Sequence, residues 1–229
     1  SIFVLPPLLI LSPAGGVVQY DRLQFVFQRA PIAMTKPKPA SPTTQAAQKA
    51  VLEALPFEDQ FDFEQAQRGF IAAVPDGQVT NARGAELWDL QAYDFLNQGE
   101  APDTVNPSLW RMAQLNMNNG LYKVCERVYQ LRGIDLANMT IIEGDSGLII
   151  VDPMTTAEVA GAGLDLYHAH RPEKPVVCVI YSHSHVDHYG GAMGVASAED
   201  AASGKVSVIA PDQFVEELSG ENVIAGNAM

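Results

Sequence analysis

Hydrophobic and polar positions change their rhythm near residue 120. Before it, the apolar positions sit in short clusters broken by proline and polar runs. Residues 2–11, IFVLPPLLIL, are almost wholly apolar, but the run is broken by Pro6-Pro7 and too short to span a bilayer. Residues 35–44 are polar and proline-rich and read as a linker. Ser41-Pro42 then supplies a cap and a first-turn proline for a helix over 43–55. In the acidic stretch 57–67, Phe57, Phe61 and Phe63 are expected to dock the arm on a core. Residues 70–74 and 78–80 read as two short strands flanking the turn Pro75-Asp76-Gly77. Asn106-Pro107 starts a second helix over 108–118, with Leu109, Trp110, Met112, Ala113 and Met117 as its packing stripe, ending at Asn119-Gly120.

After residue 120 the apolar runs become strand-like. Residues 121–131 predict one strand, and 139–143 and 148–151 predict two more joined by Gly144-Asp145-Ser146-Gly147, a hairpin signal. A helix over 155–170 follows, capped by Thr155 or Thr156. Residues 175–181, PVVCVIY, form an apolar strand expected to be buried on both faces. A strand over 206–210 and a helix from 211 to about 218 come after it. Strand, helix, buried strand, loop, strand, helix is an α/β order. The expected organisation is a leader and linker over 1–40, a mostly helical arm over 41–120, and an α/β domain over 121–229.

Charge narrows the partners. Fourteen Lys and Arg against 27 Asp and Glu give a net charge of −13. Such a surface repels phosphate backbones and argues against nucleic acid. Beyond residues 2–11 no stretch suggests membrane insertion. The two cysteines, Cys125 and Cys178, have no CxxC partner and are expected to be buried free thiols. Two readings of the N-terminus stand. Residues 1–16 are the remnant of a secretory signal lacking its charged start, which implies a periplasmic or secreted protein. Alternatively the native start is Met34, which implies a cytoplasmic one.

The candidate chemistry lies at residues 182–191, Ser-His-Ser-His-Val-Asp-His-Tyr-Gly-Gly. The pattern within it is H-x-H-x-D-H, placed where the buried strand ends. His183 and His185, two apart in extended chain, project the same way and can bind one ion. Asp187 and His188 then face a neighbouring point, for a second ion. Imidazole with carboxylate is a ligand mix zinc accepts. Two such ions, roughly 3.5–4 Å apart, can hold an ionised water between them. Gly190 and Gly191 are expected to keep side chains from crowding the metals. Asp152, ending the strand 148–151, is expected to orient a ligand histidine. His168 and His170, two apart on a helix, read as surface residues.

These residues resemble the metallo-β-lactamase superfamily, with its H-x-H-x-D-H loop after a buried strand. Within it the chain is similar to the alkyl sulfatases that hydrolyse detergents such as dodecyl sulfate. The likeness rests on Arg68-Gly-Phe-Ile-Ala72, on Ala101-Pro-Asp-Thr-Val-Asn-Pro-Ser-Leu-Trp110, on Gly133-Ile-Asp-Leu-Ala-Asn-Met-Thr140, on the motif and on the segment 221–229. It implies the N-terminal part of an αββα sandwich, two Zn2+ per complete site, and hydrolysis of a sulfate ester to alcohol and inorganic sulfate. It makes Asp187 both a metal ligand and a catalytic residue, and it implies a homodimer for the full-length protein. It further places the remaining ligands, two acidic residues and a histidine, downstream of 221–229. On that reading the chain carries half of a dinuclear site. Other hydrolases of the same fold (thioesterase, lactonase, β-lactamase) and a catalytically incompetent fragment remain as alternatives.

Overall fold

The computed structural model describes residues 38–97 and 99–224, together with two short strands, β1 (Ile10–Leu11) and β2 (Val17–Val18), paired antiparallel. Those four strand residues apart, the leader and start-site readings fall outside the described residues. Residues 1–39 and 40–229 are separate compact units, and the second is described below.

Local signals in the arm set its helices closely. Helix α1 (Pro42–Ala54) begins where the Ser41 hydroxyl accepts the Thr44 amide at 3.2 Å. Helix α2 (Phe61–Gln67) fully buries no residue; Phe61 is exposed, contrary to the expected docking, whereas Phe57 and Phe63 are half-buried. The segment is tied down instead by Arg111, which donates to the Phe57 and Asp59 carbonyls and lies 4.7 Å from the Phe63 ring centre.

Strands β3 (Phe70–Ala72) and β4 (Gln78–Thr80) do not pair with each other across Pro75–Gly77. β3 joins the main sheet, and β4 pairs with β5 (Glu86–Asp89). Helix α3 (Pro107–Asn116) is capped by Asn106, whose side-chain oxygen accepts the Ser108 and Leu109 amides. Its expected stripe is only partly buried, since Leu109 and Met112 are exposed.

The expected strand over 121–131 is a hairpin, β6 (Gly120–Cys125) and β7 (Val128–Arg132). It turns at Glu126-Arg127 with Arg127 at φ 64°, a conformation that usually selects glycine, asparagine or aspartate. No such residue marks the turn, so the periodicity ran through it unbroken. Strands β8 (Met139–Glu143) and β9 (Leu148–Val151) follow, then α4 (Ala157–His170), β10 (Val176–Ile180), α5 (Ala198–Ala202), β11 (Ser207–Ile209) and α6 (Phe214–Ile224).

One seven-stranded sheet orders these strands β11-β10-β9-β8-β7-β6-β3. β9, β10 and β11 are parallel, and the rest pair antiparallel. The α/β order expected from sequence is therefore present, and β3 carries the sheet across the boundary expected near residue 120. Helix α4 covers one face, where Val159, Ala160, Leu166 and Tyr167 pack with Leu131, Met139, Ile141, Leu148, Ile150 and Val179. Gly163 brings the helix close, because a Cβ there would sit 3.1 Å from Met139 and 3.2 Å from Leu131. The opposite face, with Ile149, Val151, Cys178 and Ile180, is half-buried. The two-sided burial expected for 175–181 is therefore not found: of these residues only Val179, on the α4 face, is buried. Cys125 and Cys178 are free as expected, but Cys125 is exposed and Cys178 only half-buried. Among the described residues no helix is long and apolar enough to cross a membrane.

Candidate metal centre

Because β9 and β10 are parallel neighbours, with Val151 opposite Ile180, they end side by side. The chain leaves both at the C-terminal edge of the sheet, where α/β proteins commonly build their sites. The residue after β9 is Asp152, held at φ 55° while its N–H donates to the Ile180 carbonyl at 2.9 Å. Aspartate tolerates this left-handed backbone better than most residues. The turn aims its carboxylate across to the start of the motif.

There Asp152 Oδ1 accepts the Ser182 amide at 2.8 Å, and Oδ2 accepts the Ser182 hydroxyl at 2.7 Å. Ser182 Oγ also lies 2.9 Å from His183 Nδ1. A hydroxyl has one proton, and an ionised carboxylate can only accept. Ser182 therefore donates to Asp152 and accepts from His183 Nδ1–H. That arrangement selects the tautomer of His183 whose Nε2 keeps a free lone pair, the form that binds a metal.

The chain bends over 182–184 instead of running extended as expected, and the ring centres of His183 and His185 lie 4.6 Å apart. A single 3₁₀ turn, Val186–His188, then swings Asp187 and His188 back toward them. The His188 ring centre comes within 4.0 Å of that of His183. His188 Nε2 is 3.3 Å from Asp187 Oδ2, and His188 Nδ1 is 2.9 Å from Asp152 Oδ2. The second approach lacks a hydrogen bond's alignment, so buried Nδ1 has no partner of its own. His185 is the most open of the three, with its side chain 60% exposed and Nε2 3.4 Å from Glu221 Oε1 of α6.

Among the described residues no group of three or more His, Cys, Asp or Glu side chains is arranged to hold an ion. His183, His185, Asp187 and His188 form a neighbourhood of donors rather than a closed coordination shell. The donor chemistry fits a zinc-type ion: three imidazoles and one carboxylate, with the Nε2 lone pair of His183 left free.

The glycines after the motif act on backbone rather than on the donors. A Cβ at Gly190 would meet the Thr155 carbonyl at 2.3 Å, and one at Gly191 the Pro153 carbonyl at 2.0 Å. The Gly191 amide donates to the Met154 carbonyl at 2.8 Å. The motif loop is thereby pressed against 153–156, the connection leading from Asp152 into α4. This differs from the expected role of sparing room around metals.

Sequence reasoning passed over Ser182 and Glu221. Ser182 was visible only as the residue before the motif, and its role depends on the register between β9 and β10. Glu221 lies 36 positions beyond His185 and is brought in by α6. His168 and His170 sit at the far end of α4; His170 is exposed, while His168 is half-buried with its Nε2 buried and unpartnered.

Comparison with known proteins gives a consistent picture. Residues 132–226 match the metallo-beta-lactamase superfamily. The chain is 56% identical over 192 residues to an (R)-specific secondary-alkylsulfatase of Pseudomonas sp., covering 84% of this chain and 29% of that one. It is 51% identical over 193 residues to a linear primary-alkylsulfatase of Pseudomonas sp., with the same coverage. An alkyl/aryl-sulfatase of Saccharomyces cerevisiae is 49% identical over 192 residues, covering 84% and 30%. The solved structure of the stereoselective inverting sec-alkylsulfatase Pisa1 from Pseudomonas sp. superposes with a TM-score of 0.79 at 56% identity, over 83% of this chain and 30% of that one. The chain thus spans about three tenths of the length of the curated relatives it matches.

Proposed function

This chain belongs to the metallo-β-lactamase superfamily as a relative of the alkylsulfatases, and from that premise we propose that its His183, His185, Asp187 and His188 take part in a dinuclear zinc site that hydrolyses alkyl sulfate esters. His183 and His185 would serve one ion, and Asp187 and His188 the other. Four side chains, two for each ion, would leave room for further ligands and water. A homodimer belongs to the same proposal, and the mass of the protein in solution tests it.

The observation that carries the reading is the Asp152–Ser182–His183 chain of hydrogen bonds, which prepares a ligand nitrogen at a sheet edge where three more donors gather. When bound, zinc would make water more acidic and neutralise the sulfate's charge. The chain's own part is to orient and to hold protons. Asp152 and Ser182 keep the Nδ1 proton of His183 away from the ligand side. The carboxylate of Asp187 would help hold the ion and would be the group that takes up a proton from water. The reaction is RO–SO3⁻ + H2O → ROH + HSO4⁻. One relative is an inverting enzyme, and inversion requires that water attack carbon and that the C–O bond break, with sulfate leaving.

The test is sulfate release from dodecyl sulfate by the zinc-loaded protein, alongside a thioester and a β-lactam. Activity on the sulfate ester alone supports the reading, and activity on the thioester or β-lactam alone moves the protein to another hydrolase of the same fold. His183→Ala and Asp187→Ala should each abolish sulfate release, and activity surviving both would overturn the site assignment. Zinc content near two per chain is expected of a competent site.

A further inference from the structure

Asp135 is the buried charged residue of the described fold, 8% exposed, and the hydrolytic chemistry does not use it. It lies on the connection between β7 and β8. One carboxylate oxygen accepts the Thr155 hydroxyl at 2.6 Å and the Leu136 amide at 2.5 Å, and the other accepts the Thr155 amide at 2.9 Å. A carboxylate is taken out of water at considerable cost unless hydrogen bonds replace its hydration, and here three do. Two of the three go to Thr155.

Thr155 sits in the connection that also carries Asp152 and receives the two motif glycines. That connection is not relaxed backbone: Asp152 is at φ 55° and the fully buried Met154 at φ 63°. Left-handed backbone disfavours a residue such as methionine, so the conformation must be held from outside. We propose that Asp135 is a positioning residue for the metal centre: by clamping Thr155, it fixes the 152–155 connection from which Asp152 reaches Ser182 and His188. The path is short and contiguous. Asp135 holds Thr155, Thr155 follows Met154 whose carbonyl accepts the Gly191 amide, and Asp152 accepts the Ser182 amide and hydroxyl. The inference rests on the metal-site reading for its consequence, though the coupling itself needs no metal.

The experiment has two arms on the full chain. In Asp135→Asn, a side-chain amide replaces one carboxylate oxygen facing Thr155. Amide hydrogen exchange of Ser182 and Gly191 should accelerate at least tenfold, while Val179 in the sheet core stays protected. Co2+ affinity should fall about tenfold, with an altered visible spectrum at saturation. Thr155→Ser, which keeps both donors, should cause neither loss, whereas Thr155→Val, which removes the hydroxyl, should mimic Asp135→Asn. Glu143→Gln serves as a control for general destabilisation at the opposite end of the sheet. Unchanged exchange at Ser182 and Gly191 in Asp135→Asn, or equal acceleration in Glu143→Gln, overturns the proposal. If the unsubstituted chain takes up no Co2+, the metal reading fails, and the exchange arm alone decides the coupling.

Discussion

The hydroxyl of Ser182 lies 2.9 Å from Nδ1 of His183 and has only one proton to give, which goes to Asp152. The preceding residue thereby sets which ring nitrogen of the first motif histidine is free. Ser182→Ala removes this control and leaves His183 to exchange tautomers. Metal affinity should drop between about 10- and 100-fold, the range found when a partner behind a ligand histidine is lost. Ser182→Thr keeps the hydroxyl and should keep the affinity. Co2+ titration reads both, and equal affinity in the alanine variant would show that the hydroxyl does not govern the ring.

Gly191 and Gly220 should respond oppositely to alanine. A Cβ at Gly191 would lie 2.0 Å from the Pro153 carbonyl and 2.9 Å from Ala160 Cβ, both fixed parts of the connection and of α4. Gly191→Ala must push the motif loop away, at a cost of about 1–3 kcal/mol or more. Gly220, inside α6, has nothing within 4 Å of its Cβ position. Alanine there should stabilise by roughly 0.5–1 kcal/mol through helix propensity. Thermal melts of the two variants decide, and a neutral Gly191→Ala would mean that the loop is less tightly seated than the contact implies.

Much of this site was legible because its information is local. The spacing of His183, His185, Asp187 and His188 is read within six residues, and the caps at Ser41, Asn106 and Thr156 within four. The α/β order was read from local signals too, and the helix between β9 and β10 suits the parallel pairing found for them. What stayed hidden depends on register or on chain far away. Ser182 gains a role only because Asp152 arrives beside it, and Glu221 only because α6 folds back. Asp135 carries no local mark of its role, since nothing nearby signals a buried partner 20 positions on. The β6–β7 hairpin was missed for a different reason. Its turn places Arg127 in left-handed backbone without any residue that favours it.

Thiol reactivity should separate the two cysteines. Cys125 is exposed at the end of β6, whereas Cys178 is half-buried in β10, where burial raises its thiol pKa. The thiolate is the reactive form, so burial slows Cys178 through both access and ionisation, while Cys125 lies open to a reagent. A maleimide reagent at neutral pH should label Cys125 first, with Cys178 following only slowly. Equal rates, read by peptide mass spectrometry, would show that the half-covered sheet face opens readily.

Attack at carbon, the course that inversion requires of the sec-alkylsulfatase relative, makes a labelling prediction if this protein follows the same course. Hydrolysis of dodecyl sulfate in ¹⁸O water should place the label in dodecanol and leave the released sulfate unlabelled. Label in sulfate would mean attack at sulfur and S–O cleavage, and would separate this protein's chemistry from that of its inverting relative.

Glu143 ties α4 to the sheet at the end away from the motif and should make stability pH-dependent. Its side chain is 10% exposed and accepts from Tyr167 Oη at 2.7 Å and from Arg171 Nε at 2.9 Å. The Arg171 hydrogen bond holds its pKa below the usual glutamate value, helped by the tyrosine and opposed by burial. The folded protein therefore releases this proton more readily than the unfolded chain. The resulting stabilisation is fully present above the unfolded pKa of about 4.3 and is lost as pH falls through the lower folded value. Glu143→Gln keeps the shape and one acceptor but removes the charge, so stability at neutral pH should fall by about 1–3 kcal/mol. Its melting temperature should also depend less on pH below about 4.3 than that of the unsubstituted protein. If the two acid profiles run parallel, other carboxylates carry the acid sensitivity, and the Glu143–Arg171 pair contributes no more than an exposed one.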